Sequence, residues 1–169
     1  FPQDLYTAAA KLGLFGLWIP EEYGGIGPDL VTPLLISERI ARVSPTFSLT
    51  FSNCGDATTP IVIGGTERIK RTWLPRIATG EIIPCLSLSE PQSGSDAASI
   101  KTSARRDGDG YVINGRKMWC TNGAVGGVYV CFAKTDPDAG HRGVSAFAVP
   151  RETPGLGIGR DEALIGLHG

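Results

Sequence analysis

The spacing of apolar residues changes character once along this chain, near Ile82, and no other feature limits the fold as much. Upstream the apolar positions recur at helical intervals. Downstream they alternate, as they must on a strand, where successive side chains point to opposite faces. The spacing predicts an α+β protein: an N-terminal all-α domain over 1–82, then an antiparallel, barrel-like β-domain over 83–169.

In the first part, Asp4 can cap a segment that carries Leu5, Ala8, Ala9 and Leu12 and stops at Gly13. The breaker-rich run Pro20-Glu21-Glu22-Tyr23-Gly24-Gly25-Ile26-Gly27-Pro28 forms an ordered turn or a flap. Asp29 caps a helix over 30–43 with Val31, Leu34, Leu35 and Ile40 on one face. Ser44-Pro45 places a capping hydroxyl and a proline at the start of the next, which carries Phe47, Leu49 and Phe51 toward Asp56. A last helix begins near Thr66-Glu67 and runs through Trp73 and Leu74 to Gly80.

In the second part, strands are expected over 99–106, 111–113, 116–120, 128–134 and 144–149. Asp107-Gly108-Asp109-Gly110 and Asn114-Gly115 read as tight reversals, which make consecutive strands antiparallel neighbours. No closing strand follows Gly155, so the β-domain reads as incomplete, and the missing initiator Met suggests a truncated start.

Charge excludes some functions. Sixteen basic and seventeen acidic residues leave a net charge of -1 without like-charge runs, which argues against nucleic-acid partners. No apolar stretch approaches the ~20 residues of a membrane span, and no targeting segment is visible. Cys54, Cys85, Cys120 and Cys131 lack metal-ligand spacing, and His141 and His168 add little, so no metal site is expected. Reduced thiols point to a reducing compartment.

The chemistry concentrates in two stretches. In Cys85 to Asp96, an alternating run Leu86-Ser87-Leu88-Ser89 stops at Glu90-Pro91 and turns through Gln92 to Asp96. Proline donates no ladder hydrogen bond, so N–H groups around Ser93, Gly94 and Ser95 are free for an anion or an acceptor-rich ring. Taken alone, the same residues also describe a solvated turn bonded to its own backbone. Trp119-Cys120-Thr121-Asn122-Gly123 repeats the arrangement, a strand end presenting an aromatic and a hydroxyl. Leu86, Leu88 and Trp119 can pack a flat ring whose acceptors Ser89 and Thr121 serve, although a strand-borne Trp is also an ordinary core residue.

At these residues the chain resembles the acyl-CoA dehydrogenase family. Glu22-Tyr23-Gly24-Gly25-Ile26-Gly27 looks like its E-Y-G-G-x-G, and Gly64-Gly65-Thr66-Glu67 through Leu74-Pro75 and Thr79-Gly80-Glu81 is similar to its G-T-E…L-P…G-E block. Ser89-Glu90-Pro91 with Gly94-Ser95-Asp96 matches T-E-P-x-x-G-S-D. The run from Asn114-Gly115 through Lys117 and Trp119 to Gly123 matches N-G-x-K-x-[WY]-I-[TS]-N-G. The chain departs at Ser89 for Thr, at Gln92-Ser93 for Gly-Ala and at Cys120 for Ile or Val. Leu164 and His168 replace Lys and Arg of a K-[LM]-G-x-R-[GA] segment.

The resemblance implies FAD against the β-domain, approached by Leu86, Ser87, Leu88, Ser89, Gly94, Ser95, Trp119, Cys120 and Thr121, with Thr121 at the flavin N5 edge. It implies a CoA thioester near Ser95, with His141 and Arg142 toward the CoA phosphate, where an exposed hairpin tip is the other reading of that pair. The implied reaction is α,β-dehydrogenation of an acyl-CoA, with electrons passed to an electron-transferring flavoprotein. The family base is a glutamate of a C-terminal helical domain, so no catalytic residue is assigned here, and Glu90 is expected to fix its turn. A homotetramer in a bacterial cytoplasm or the mitochondrial matrix is also implied. An acyl-CoA oxidase or flavin monooxygenase of the same fold, or a non-catalytic binding module, is the alternative.

Overall fold

The computed structural model describes residues 1–27 and 29–167. Pro28, at the end of the breaker-rich loop, and His168 and Gly169, in the terminal motif, lie outside the described residues.

Helix α1 spans Gln3–Lys11 and ends as expected near Gly13, whose φ of +72° suits a residue without a Cβ. Its buried residues are Tyr6 and Ala9, Leu5 and Leu12 are exposed, and Asp4 lies within the first turn rather than capping it, with Pro2 at the N-cap. A short 3-10 turn, Leu14–Trp18, then carries Phe15 and Leu17 inward. Helix α2 is Val31–Ala41, with Asp29 Oδ1 accepting from the amides of Val31 at 2.8 Å and Thr32 at 3.0 Å. Of the expected face, Ile40 packs against the core, whereas Val31, Leu34 and Leu35 stay exposed among the described residues, Leu34 at 68%.

Helix α3, Pro45–Gly64, is the spine of the molecule. Ser44 Oγ accepts from the Phe47 amide at 3.2 Å, and Pro45 occupies the first turn, where its missing N–H costs nothing. The helix runs past Asp56 and tolerates Pro60, burying Phe47, Phe51, Cys54, Ala57, Thr58 and Ile61. Helix α4, Glu67–Ala78, is capped by Thr66 and buries Leu74, Ile77 and Ala78.

The strands are β1 (Pro84–Ser87), β2 (Ser103–Asp107), β3 (Gly110–Asn114), β4 (Val128–Lys134) and β5 (Val144–Pro150). The expected succession of helices and then sheet holds, but the sheet is mixed and does not close into a barrel. Strands β2 and β3 form the expected hairpin, turned at Gly108 with φ +58°, and β5 runs antiparallel to β4. Strand β1 instead pairs parallel to β4 from Pro84↔Val128 to Ser87↔Cys131, and β2 continues on the same side of β4 at Ser103↔Lys134.

Two buried clusters join the layers. One combines Tyr6, Phe15, Phe47, Phe51 and Cys54 with Ile83, Cys85 and Tyr129; the other combines Ile19, Tyr23, Ile61, Leu74 and Ile77 with Val128 and Val130. Each draws on helices and sheet alike. The sheet therefore has one face sealed by α3 and α4, which holds β1 still where it delivers the polar loop.

Candidate functional site

The residues expected to form a strand over 116–120 do not form one. Trp119 has φ +54° and Asn122 +63°, left-handed conformations that interrupt any ladder. Asn114-Gly115 is not a tight reversal either, because Gly115 is not among the residues with positive φ. Glycine is required there for proximity: a Cβ would stand 2.2 Å from Thr102 Oγ1.

The segment nevertheless runs antiparallel beside β1 and its extension, touching it at every second residue. The Met118 amide donates to Ser89 O at 2.9 Å, Cys120 Sγ lies 3.2 Å from Ser87 Oγ, and the Cys85 thiol donates to Asn122 O at 3.3 Å. Only the first of these rungs is backbone to backbone. The other two use side chains, so the two site stretches align without sharing a strand ladder.

Glu90 fastens the open end of this pair. Its carboxylate is 3% exposed and accepts four hydrogen bonds. Oε1 takes the Lys117 ammonium at 2.8 Å and the Thr102 amide at 3.0 Å; Oε2 takes the Lys101 amide at 2.6 Å and Gln92 Nε2 at 2.7 Å. Lys117 Nζ also donates to Leu88 O at 3.0 Å. Burial alone would raise the Glu90 pKa, but the Lys117 charge and the donors of Thr102 and Lys101 outweigh it and hold it at about 2. A carboxylate so satisfied is a brace, in keeping with its expected role of fixing the turn, and is no general base.

Beyond Glu90 the chain makes a closed turn. Glu90 and Ser93 exchange both backbone hydrogen bonds, and Ser93 Oγ donates to Asp96 O at 2.6 Å. The Ser93 N–H is thus used internally, contrary to expectation. The N–H groups of Gly94 and Ser95 make no hydrogen bond among the described residues, and space is open where a Cβ on Gly94 would lie. The following turn, Ala97–Ser99, packs beside the 3-10 stretch Pro137–Gly143 that carries His141 and Arg142, both exposed.

The nine residues named as cofactor contacts are therefore brought together on adjacent segments. They differ in what they leave free. Ser87 is buried, its hydroxyl engaged with Cys120, and Leu86 and Leu88 are half-buried. The hydroxyls of Ser89 and Thr121 have no partner among the described residues, and Trp119 is 67% exposed. An uncommitted indole, two spare hydroxyls and two spare amides suit a flat, acceptor-rich ligand with an anionic extension.

Other contributors carried no readable signal. Lys117 lay inside a quoted motif without a role. Arg151, just after β5, clamps the far end: its Nη1 donates to Ala124 O and to Tyr129 Oη, each at 2.8 Å, and Tyr129 Oη donates to Gly123 O at 2.7 Å. Asn122 Nδ2 donates to Thr50 O at 3.3 Å, tying the segment to α3. These are contacts between residues distant in sequence, which no local pattern announces.

Comparison with known proteins supplies the frame. The family model "Acyl-CoA dehydrogenase, N-terminal domain" matches residues 1–81, and "Acyl-CoA dehydrogenase, middle domain" matches 85–169. An acyl-CoA dehydrogenase of Bacillus subtilis is 39% identical over all of this chain, which covers 45% of that protein. Cyclohex-1-ene-1-carbonyl-CoA dehydrogenase of Geobacter metallireducens is 42% identical, again over the whole chain and 45% of the relative. A crystal structure of an acyl-CoA dehydrogenase complexed with FAD from Bacillus anthracis superposes with a TM-score of 0.87 at 41% identity, over 97% of this chain and 28% of that one. The chain thus spans less than half the length of these curated relatives.

Proposed function

The chain belongs to the acyl-CoA dehydrogenase family, and from that premise we propose that it is the helical and sheet portion of an FAD-dependent enzyme that dehydrogenates an acyl-CoA at its α and β carbons. The observation that carries the proposal is the paired arrangement of β1 and residues 118–122, which leaves Trp119 and the hydroxyls of Ser89 and Thr121 uncommitted on adjacent segments.

In this reading Leu86, Leu88 and Trp119 pack the flavin ring, while Ser89 and Thr121 donate to its heteroatoms. Gly94 and Ser95 offer their amides to anionic oxygens, with Ser95 near the thioester. His141 and Arg142 extend the site toward the CoA phosphate. FAD, when bound, supplies the hydride acceptor. Glu90, fully engaged and ionised to about pH 2, keeps the two segments in register. The base that removes the α-proton is assigned to the family's C-terminal helical domain, and an electron-transferring flavoprotein takes the electrons. We assign the whole protein to a homotetramer in a bacterial cytoplasm or the mitochondrial matrix. Among the described residues no helix is long and apolar enough to cross a membrane.

The test is an FAD titration followed by visible absorption and tryptophan fluorescence, then anaerobic addition of acyl-CoA thioesters to the full-length protein. Saturable binding and bleaching of the flavin bands are expected. A folded full-length protein that binds no flavin would sink the proposal.

A further inference from the structure

Two consecutive residues of the second site stretch grip the first one around Ser89. The Lys117 ammonium donates to Leu88 O at 3.0 Å and to Glu90 Oε1 at 2.8 Å, and the Met118 amide donates to Ser89 O at 2.9 Å. Ser89 is thus held through the residue before it, through its own carbonyl and through the residue after it. Its hydroxyl alone is left without a role in this arrangement.

Glu90 does not by itself account for Lys117. The carboxylate already accepts from the amides of Lys101 and Thr102 and from Gln92 Nε2, and its charge could be balanced by an ammonium that stayed in water. Lys117 instead has only 12% of its side chain exposed, and so strongly hydrated a point charge gives up water only where acceptors replace it. Leu88 O is the second acceptor. Because a peptide unit is planar, the bond to Leu88 O fixes the plane between residues 88 and 89, and the bond from Met118 to Ser89 O fixes the next one. Two fixed planes meeting at the Ser89 Cα set the direction of its Cβ, and a staggered χ1 then places Oγ.

From this geometry we propose that Lys117 is a positioning residue, whose hydrogen bond to Leu88 O sets the direction in which Ser89 presents its hydroxyl to a heteroatom of the flavin ring. The inference rests on the flavin reading above and adds to it a residue that acts through its neighbour. Lys117 and Met118 lead directly into Trp119, so the chain that grips Ser89 is also the chain that carries the indole. One set of contacts relates the two sides of the platform.

The test is a double-mutant cycle of Ser89→Ala and Lys117→Met in the full-length protein. It is read as the FAD dissociation constant from quenching of flavin fluorescence, as the visible spectrum of the bound flavin, and as urea unfolding of each apoprotein. Each single variant should weaken FAD about five- to ten-fold, as for one lost hydrogen bond, and the double variant should stay within about ten-fold, since Lys117 then has no hydroxyl left to direct. The flavin bands of Lys117→Met should shift as those of Ser89→Ala do, a signature that a purely structural role would not move. Independent losses that multiply in the double variant would overturn the assignment. So would a Lys117→Met protein that is less stable in urea but keeps the wild-type flavin spectrum and affinity. Wild-type affinity in Ser89→Ala would remove Ser89 from the flavin contacts and the assignment with it, while FAD binding by the wild-type protein left the flavin reading standing; a folded wild-type protein without FAD would end both. Lys117→Met strands the buried Glu90 charge, so if it does not fold the same cycle is run in Glu90→Gln, where that charge is removed with its partner, and the same outcomes decide.

Discussion

The two stretches that make the candidate site are anchored by opposite means. The loop after β1 hangs on one ionised, almost fully buried carboxylate that collects an ammonium, two backbone amides and a side-chain amide. The 118–126 segment hangs on thiols, an amide side chain, a phenol and a guanidinium at the surface. The first anchor is concentrated and charged; the second is spread over several weaker contacts. Losing one group should therefore collapse the first and only loosen the second.

The largest effect is expected at Glu90. Glu90→Ala strands the Lys117 charge and the amides of Lys101 and Thr102, and breaking a buried pair from one side costs about 3–5 kcal/mol. Urea unfolding should show that loss as a lower midpoint. If the effect were under ~1 kcal/mol, the contrast between the anchors would be gone.

Acid should act on the same anchor. The folded pKa of Glu90 is depressed to about 2 from an ordinary 4.5, so its contribution is complete above the unfolded value and is lost as pH falls toward 2. Wild-type stability should decline between those values, and Glu90→Ala should flatten the decline. A parallel slope in the two proteins would assign the acid sensitivity elsewhere.

Arg151→Met should cost less, about 1–2 kcal/mol, since its hydrogen bonds are charge-assisted but partly screened by water. Faster hydrogen exchange should be confined to residues 122–127. Trp119→Ala is the smallest change to the fold, within about 0.5 kcal/mol for so exposed a side chain. It should nonetheless weaken FAD binding about ten-fold or more, as expected for the loss of an aromatic platform. Equal losses in stability and in flavin affinity would make Trp119 a core residue.

Much of this was legible because it is local. The caps at Asp29 and Ser44, the helix start near Thr66, the turn at Gly108 and the strands β4 and β5 each depend on residues within a few positions. The parallel pairing of β1 with β4 has no local signature, and consecutive alternating segments suggested antiparallel neighbours instead. Residues 116–120 alternate like a strand, yet Trp119 adopts φ +54° because side chains, not a ladder, align the segment. Periodicity also marked Val31, Leu34, Leu35 and Ile40 as one face of α2 without showing that, among the described residues, only Ile40 of the four packs against the core. At the site, the roles proposed for Gly94, Ser95 and Thr121 rest on residue type and motif, whereas the clamp of Arg151 on Tyr129 depends on the finished sheet.

The β1–β4 pairing also governs when these parts come together. Pro84 meets Val128 across a span that contains both the Glu90–Asp96 turn and the Trp119–Asn122 segment. Their contacts with one another lie inside that span, but the pair docks on β4 only when the long loop closes, and such non-local parallel contacts form slowly. Emerging from the ribosome, the helical part can fold while the two stretches are still loose. Detachment of β4 then releases the Arg151–Tyr129 clamp at the far end of the site while the Glu90 anchor, which uses no β4 residue, is left in place.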